Sequence, residues 1–235
     1  MPIVLLHQTA SSSLMYEAIM RELANEFVLF APDTPGFGGT AAPNQPATIQ
    51  HYADGLYDAL QTLGIRACWL FGHHTGASIA VQLTHNHPEL TRKLILSGPP
   101  LLTDAQKEIL SKAVFPMVVQ ADGSHLTQMW QRIRAKDAQA SLALSQRETL
   151  LNLHAGAHYH ESYHAVCAHD FAGQLATITC PTLVMAGEND SLRASLEPSF
   201  ALLKHGTMRV ISHANTYICD QQPQIIANVM REFFR

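Results

Sequence analysis

The chain has 235 residues, an apolar fraction of 47%, a charged fraction of 14% and a formal net charge of −4. This length and composition predict one large core in a single domain, and the absence of any block of Lys or Arg argues against nucleic-acid binding. No apolar stretch approaches the roughly 20 residues of a membrane span and the first residues do not resemble a signal peptide, so we expect a soluble, cytoplasmic protein that does not contact membranes.

Short apolar runs alternate with longer helical patterns, which is typical of a parallel sheet covered by helices on both faces. Six runs are predicted to be strands because they are almost continuously apolar. They lie at 3–6, 27–31, 67–71, 93–97, 182–186 and 208–211. Helices are predicted near 14–25, 48–63, 76–87, 190–203 and 222–234. The second of these stops at Gly64, a residue suited to the left-handed position after a helix.

More than 80 residues without a strand pattern separate the fourth and fifth predicted strands. A structureless loop of that length is uncommon in a compact domain. Helical stretches are predicted near 103–115, 124–136, 139–154 and 157–168. We therefore expect 1–98 and 181–235 to form an α/β core and 99–180 to form a helical lid over the carboxyl ends of the strands, where open α/β sheets bind ligands.

The segment from Trp69 to Ser78 reads as a strand, a sharp turn and a helix. Gly72 and Gly76 flank the turn, which is too tight to accommodate side chains at those positions. The residue at its centre is His74. This arrangement resembles the nucleophile elbow of the α/β-hydrolase superfamily, with histidine in place of the usual serine.

Other segments carry the same resemblance, which covers essentially the whole chain. The run from Leu5 to Gln8 stands where the oxyanion loop opens in that superfamily. The run 31–39, APDTPGFGG, matches its D-x-P-G-x-G loop, and the run 181–190, PTLVMAGEND, matches its late strand. The resemblance implies a three-layer α/β fold with a mainly parallel sheet of about six strands. The chain begins at what resembles the third strand, so we expect no N-terminal antiparallel hairpin.

The resemblance also places the remaining members of a catalytic triad. It puts the acid at Asp190, whereas the position of the usual histidine is occupied by Thr216. His213 could serve as the base only if its loop is rebuilt, and Glu188 is the second candidate for the acid. Our leading hypothesis is a relocated dyad, in which Asp190 accepts a hydrogen bond from one nitrogen of His74 and the other nitrogen faces the substrate.

Three mechanisms fit these residues. His74 could activate water, attack the substrate itself to form an acyl-imidazole, or serve as base for the hydroxyl of Thr216. We rank water activation first because Thr216 is stiff at χ1. By analogy with the family, the backbone N–H groups of Thr9 and Thr75 would bind the oxyanion.

We therefore expect a hydrolase-like enzyme, independent of cofactors, that cleaves an ester, thioester or related acyl or C–C bond of a small, mostly neutral molecule. It would act as a monomer or homodimer. Two alternatives stay open: a non-catalytic binding protein on the same scaffold, and a cofactor-free lyase or isomerase in which His74 moves a proton on carbon.

Histidines are unusually frequent, and five of the 14 lie between His154 and His169. The pairs 154/158 and 160/164 have the spacing that places two imidazoles on one helix face. HxxxH alone is a weak signal, and the more specific HExxH motif is absent. We expect lid-helix histidines and no metal site.

Overall fold

The computed structural model describes residues 1–43, 46–114, 116–156 and 158–235. Its strands are β1 (Ile3–Leu6), β2 (Leu29–Phe30), β3 (Cys68–His73), β4 (Thr91–Ser97), β5 (Thr182–Gly187) and β6 (Gly206–Ile211). They form one sheet in the order β2-β1-β3-β4-β5-β6, and each neighbouring pair is parallel. The predicted parallel sheet of six strands is therefore confirmed.

Helices fill the connections between the strands. They are α1 (Glu17–Leu23), α2 (Ile49–Thr62), α3 (Thr75–Asn86), α4 (Asp104–Ala113), α5 (Ser124–Lys136), α6 (Leu142–Ala155), α7 (His158–Ala168), α8 (Phe171–Leu175), α9 (Leu196–Ala201), α10 (Ile218–Gln221) and α11 (Pro223–Phe234). Gly64 follows the end of α2 with φ +73°, as predicted. Phe115, the last residue of the helix predicted near 103–115, and Ala157, the first residue of the helix predicted near 157–168, lie outside the described residues.

Several helices are a few residues shorter than predicted, and two elements depart from the prediction in a way that has a structural reason. β2 has two residues instead of five because it lies at the sheet edge and pairs only with β1; Val28, just before it, is largely exposed. The helix predicted near 190–203 is reduced to a 3-10 turn and α9. Its first residues stay in a loop because the Asp190 carboxylate accepts a hydrogen bond from the Leu192 N–H.

Successive side chains along each strand point to opposite faces of the sheet, so the core consists of two clusters, one on each face. In β1, Val4 and Leu6 belong to one buried cluster, and Ile3 and Leu5 belong to the other. The first cluster lies under α2, α3 and the inserted helices, and the second lies under α1 and α11. Helix α3 is buried along almost its whole length. This central position fixes the turn that precedes it.

Helices α4 to α8 lie between β4 and β5 in the chain. Of these, α7 and α8 pack on α3. Val114, Met129, Ile133 and Tyr159 share one apolar cluster with the strands, so the insertion continues the core of the sheet. Within the described ranges, no helix combines the length and apolar character that crossing a bilayer demands.

Candidate active site

The turn between β3 and α3 has the sharp geometry that its sequence predicts. His74 has φ 50° and ψ −112°, a backbone conformation that costs a residue other than glycine about 1–3 kcal/mol. A Cβ on Gly72 would lie 2.3 Å from the Gly76 carbonyl oxygen, and one on Gly76 would lie 2.0 Å from that of Leu6. Both glycines are therefore required for β3, the turn and β1 to pack this closely.

The structure brings His74 and Asp190 together. His74 Nε2 lies 2.9 Å from Asp190 Oδ2, and Oδ1 of the same carboxylate accepts the Leu192 N–H at 2.7 Å. Asp190 lies three residues after the end of β5. In the sheet, β4 separates β5 from β3. The Asp190 side chain has no solvent exposure and that of His74 is 14% exposed, so the imidazole alone faces open space.

Asp190 is held in its ionised form. Its burial alone would raise the pKa of the carboxyl group. The charge and hydrogen bond of His74 outweigh burial, assisted by His73 and the Leu192 N–H, and lower the pKa to about 2. At neutral pH the carboxylate therefore acts only as a hydrogen-bond acceptor.

Gly98 is a part of the site that was not predicted from the sequence. It follows β4 with φ +58°, and a Cβ at this position would lie 2.4 Å from His74 Cδ2 and 2.5 Å from Nε2. The glycine therefore makes room for the imidazole edge that faces Asp190. A glycine directly after a buried strand, in Ser97-Gly98-Pro99, was the available signal.

His73 joins the elbow to the loop that carries Thr216. Its Nδ1 accepts a hydrogen bond from the Ser97 hydroxyl at 2.9 Å, and its Nε2 donates to the Thr216 carbonyl at 3.0 Å. Burial, with the neighbouring charge of His74, lowers the pKa of His73 to about 3, so the ring is neutral. His73 thus fixes the Thr216 backbone at the cavity wall. Within the described chain, the Thr216 hydroxyl makes no hydrogen bond to His74.

The two residues predicted to provide oxyanion donors lie side by side. Both the hydroxyl of Thr9 and its N–H donate to Thr75 Oγ1, at 2.7 Å and 3.3 Å. The Thr9 N–H is consequently engaged in this structure, whereas the predicted oxyanion site requires it to be a free donor. For the Thr75 N–H, at the first position of α3, the described residues provide no acceptor.

His213 and Glu188 are not brought to this site. The side chains are 94% and 53% exposed, and neither residue lines the cavity beside His74. The His213 N–H donates to Glu188 Oε2 at 2.9 Å, which closes a surface turn where His213 has φ 55°. The loop is therefore not rebuilt in the way that His213 would need to act as a base.

A cavity of about 320 Å³ lies between the strand ends and the inserted helices. His74 forms part of its wall. The other lining residues come from the loops of the core and from the insertion: Gln8, Thr9, Thr75, Pro100, Leu102, Leu110, Arg132, Ala135, Lys136, Tyr163, Val166, Ser191, Leu192 and Thr216. A cavity of this size suits a small molecule.

The histidine-rich segment lies on and around α7. His158 Nδ1 is 2.9 Å from Glu161 Oε2, and the rings of His160 and His164 meet edge to face at a centroid distance of 5.8 Å. Across the ranges that the structure describes, no three His, Cys, Asp or Glu side chains are grouped as a metal ion would require.

Comparison with known sequences agrees with this architecture. A sequence profile described as the alpha/beta hydrolase fold matches residues 1–145, more than half of the chain. The protein therefore belongs to the α/β-hydrolase family.

Individual relatives are distant or partial. An uncharacterized protein of Mycobacterium tuberculosis is 29% identical over 119 residues, which are 51% of this chain and 35% of that protein. The chain thus spans only about a third of that relative's length. The 2-hydroxymuconate semialdehyde hydrolase of a Pseudomonas species is 36% identical over 88 residues, 35% of this chain and 30% of that enzyme. Epoxide hydrolase 3 of Xenopus tropicalis is 22% identical over 259 residues, 99% of this chain and 71% of that enzyme.

Solved structures share the fold over the whole chain. An esterase from Exiguobacterium antarcticum superposes with a TM-score of 0.83 and 22% identity, covering 99% of this chain and 91% of the esterase. A thermophilic esterase from Thermogutta terrifontis gives a TM-score of 0.82 at 20% identity, covering 100% and 89%. At these identities the similarity establishes the three-layer fold.

Proposed function

We propose that this protein is a hydrolase that cleaves an ester, a thioester or a related acyl or C–C bond of a small molecule, with His74 and Asp190 carrying the proton transfer. The observation that carries the proposal is the 2.9 Å contact between His74 Nε2 and Asp190 Oδ2 at the wall of a cavity. The hydrolases among the relatives and the esterases among the structural neighbours support the same class of reaction.

The hydrogen bond to Asp190 determines which nitrogen can act as a base. An ionised carboxylate can only accept, so Nε2 carries a proton in neutral His74 and Nδ1 has a free lone pair. Gly98 lies against the edge formed by Cδ2 and Nε2, which leaves the edge with Nδ1 to face the cavity. Among the described residues Nδ1 has no hydrogen-bond partner. It is therefore placed to accept a proton from water.

Hydrolysis then follows in two steps. Water attacks the carbonyl carbon while one of its protons passes to His74 Nδ1, and Asp190 stabilises the imidazolium. The tetrahedral intermediate collapses by breaking the bond to the leaving group, which takes the proton back from Nδ1. The neutral imidazole is restored, and no covalent link to the protein is needed.

Thr75 is the best-placed group to stabilise the oxyanion. Its N–H is the first of α3, where the helix dipole favours negative charge. Because Thr75 Oγ1 accepts from both the hydroxyl and the N–H of Thr9, its own hydroxyl proton is left to donate into the cavity. Thr9 thus orients the donor.

The insertion has the role of a lid in this proposal. Leu102, Leu110 and Tyr163, all within 99–180, close the cavity over the His74–Asp190 pair, to which 1–98 contributes the histidine and 181–235 the aspartate. Enclosure of this kind excludes bulk water and strengthens the electrostatic interactions in the site. Neither the residues nor the mechanism calls for a cofactor.

The proposal is tested with a panel of 4-nitrophenyl esters and an acyl thioester. Replacing His74 with Ala should lower kcat/KM by about 10² to 10⁴-fold, the usual contribution of a general base, and Asp190→Asn should cause a similar loss because it disturbs the tautomer. The exposed His213→Ala is the matched control and should keep full activity.

Further variants separate the mechanisms. Thr216→Val leaves water activation intact but abolishes turnover if the threonine hydroxyl is the nucleophile. A pre-steady-state burst that persists in Thr216→Val and disappears in His74→Ala indicates an acyl-imidazole. Turnover that is unchanged in both His74→Ala and Asp190→Asn contradicts the proposal, and a wild type without any turnover favours a binding protein.

A further inference from the structure

Helix α5 places two cationic side chains at the cavity that contains His74. Arg132 and Lys136 are four residues apart, so they share one face of the helix, and both line the cavity. Lys136 Nζ donates to the Tyr163 hydroxyl at 3.2 Å. Arg132 Nη1 donates to the Ala113 carbonyl at 2.9 Å, and its guanidinium lies 5.3 Å from the centre of the Tyr159 ring.

Neither cation has an acidic partner in the described part of the chain. Among the described residues, no ion pair includes Arg132 or Lys136, and no Asp or Glu lines the cavity. Two other basic residues of the insertion do have acidic partners: Arg147 pairs with Glu148 and Asp220, and Lys112 pairs with Glu108.

The carboxylates near the cavity accept hydrogen bonds from groups other than Arg132 and Lys136. Glu148 Oε1 accepts from Arg147 and from the Ser11 hydroxyl. Asp137 accepts from the Gln221 side chain and from the Gln139 N–H. Asp190 is buried behind the His74 ring, with both oxygens hydrogen-bonded. None of these carboxylates hydrogen-bonds to Arg132 or Lys136, and the charge of Glu148 acts on Lys136 only without direct contact.

Such an arrangement is unfavourable on its own. Like charges four residues apart destabilise a helix, and burial lowers the pKa of Lys136 because the charged form loses hydration. An anion bound between the two side chains would remove both penalties. Arg and Lys that converge on a cavity without acidic partners are the chemistry with which proteins bind carboxylates.

We propose that the substrate carries a carboxylate that is bound by Arg132 and Lys136, with its scissile bond over His74. This inference rests on the proposed hydrolase function and replaces the mostly neutral substrate expected from the sequence. A cavity of about 320 Å³ favours a short acid, with the carboxylate at one end and the acyl bond at the other.

The kinetic test compares two substrates of nearly equal shape, the mono-4-nitrophenyl ester of adipic acid and the corresponding ester whose free carboxylate is a carboxamide. The wild type should prefer the acid by at least about tenfold in kcat/KM, since each charge-assisted hydrogen bond contributes roughly that factor or more. Lys136→Met and Arg132→Met should each lower the preference about tenfold, mainly through KM. Having two variants covers the case in which one does not fold.

The matched control is Lys112→Met, which removes an exposed lysine of the insertion that lies outside the cavity. Its substrate preference should equal that of the wild type. An equal rate for acid and amide, or a similar loss of preference in Lys112→Met, overturns the inference.

A binding measurement separates this inference from the proposed chemistry. Adipate and adipamide are titrated calorimetrically into the His74→Ala protein, where no turnover is needed. Tighter binding of adipate that weakens about tenfold in the Lys136→Met background supports the carboxylate site even if the esters are not hydrolysed. If esters are hydrolysed but adipate binds no more tightly than adipamide, the hydrolase proposal stands and the carboxylate proposal fails.

Discussion

At the scale of the residue, His74 has a strained backbone, and its imidazole is hydrogen-bonded to Asp190. Its φ of 50° is unfavourable for a side chain with a Cβ, yet the imidazole reaches a fully buried carboxylate at 2.9 Å. The absence of a side chain at Gly98 is what allows this ring position. The imidazole is therefore held from three directions, by its strained backbone, by Asp190 and by the wall at Gly98.

Gly98→Ala should displace the imidazole, because the new Cβ would lie 2.4 Å from Cδ2 of His74. We expect a loss of about 10²-fold in kcat/KM, the effect typical of a misplacement of about 1 Å, and a loss of about 1 kcal/mol in the free energy of unfolding from the positive φ. Both are measured on the same preparation, by ester turnover and by urea unfolding.

Gly64→Ala provides the control for the backbone effect. Gly64 has a similar φ of +73°, but a Cβ there would meet no atom within 4 Å. This variant should lose similar stability and keep full activity. If Gly98→Ala loses no more activity than Gly64→Ala, the packing of Gly98 against the imidazole does not matter for turnover.

At the scale of the element, an ionic cluster of Arg147, Glu148 and Asp220 links α6 to α10, and Glu148 also links α6 to the loop after β1. Arg147 donates to both oxygens of Asp220 at 2.7 and 2.9 Å and to Glu148 at 2.7 Å, and Glu148 also accepts from Ser11. Glu148 is 2% exposed. Burial raises the pKa of Asp220 and Arg147 opposes that rise. The position of the insertion over the cavity therefore depends on this arginine.

Arg147→Met should lower the free energy of unfolding by about 2–4 kcal/mol, because it leaves two largely buried carboxylates without a cation. Urea denaturation followed by circular dichroism measures the change. Arg193→Met is the matched control: Arg193 pairs with the exposed Glu197 on the surface, and its loss should have no measurable effect. Equal changes in the two variants would show that the cluster does not fasten the insertion.

At the scale of the whole molecule, the insertion and the sheet share one apolar cluster. Met129 of α5 and Tyr159 of α7 are fully buried in the cluster that contains Val4 of β1 and Leu70 of β3. Separating the insertion from the core would expose both sides of this contact to water. We therefore expect core and insertion to unfold together.

The two tryptophans report on the two parts separately. Trp69 stacks on Phe234 beneath the sheet at a centroid distance of 5.3 Å, and Trp130 lies on α5 of the insertion. Urea transitions followed by fluorescence in Trp130→Phe and Trp69→Phe should coincide in midpoint after correction for any change in stability. Two separate transitions would show that the insertion unfolds as an independent unit.

Much of the site was predictable because its backbone requirements are local. Gly72 and Gly76 mark the elbow in the sequence, and the residue between them, His74, follows from the spacing. The partner, Asp190, was predicted by family resemblance. The engagement of the Thr9 N–H by Thr75 was not predicted, because side-chain rotamers in a loop depend on neighbours that are remote in sequence.

The position of two cationic side chains at the cavity was also not predicted from the sequence. Arg132 and Lys136 look like ordinary charges on a surface helix when the sequence is read alone, and only the packing of α5 over the strand ends places them in the lining of the cavity that contains His74. The exposure of His213 and Glu188 likewise depends on how the loop after β6 folds.

By itself, the sequence of this protein determined the six parallel strands, the helical insertion and the strained histidine turn, because hydrophobic periodicity and glycine sterics act over a few residues. The tertiary structure alone decided that imidazole and carboxylate meet at 2.9 Å, that Gly98 leaves room for the ring, and that Arg132 and Lys136, which have no acidic partner among the described residues, line the same cavity. These features join positions as far apart as 116 residues, and such distances are set by the packing of whole elements against a common core.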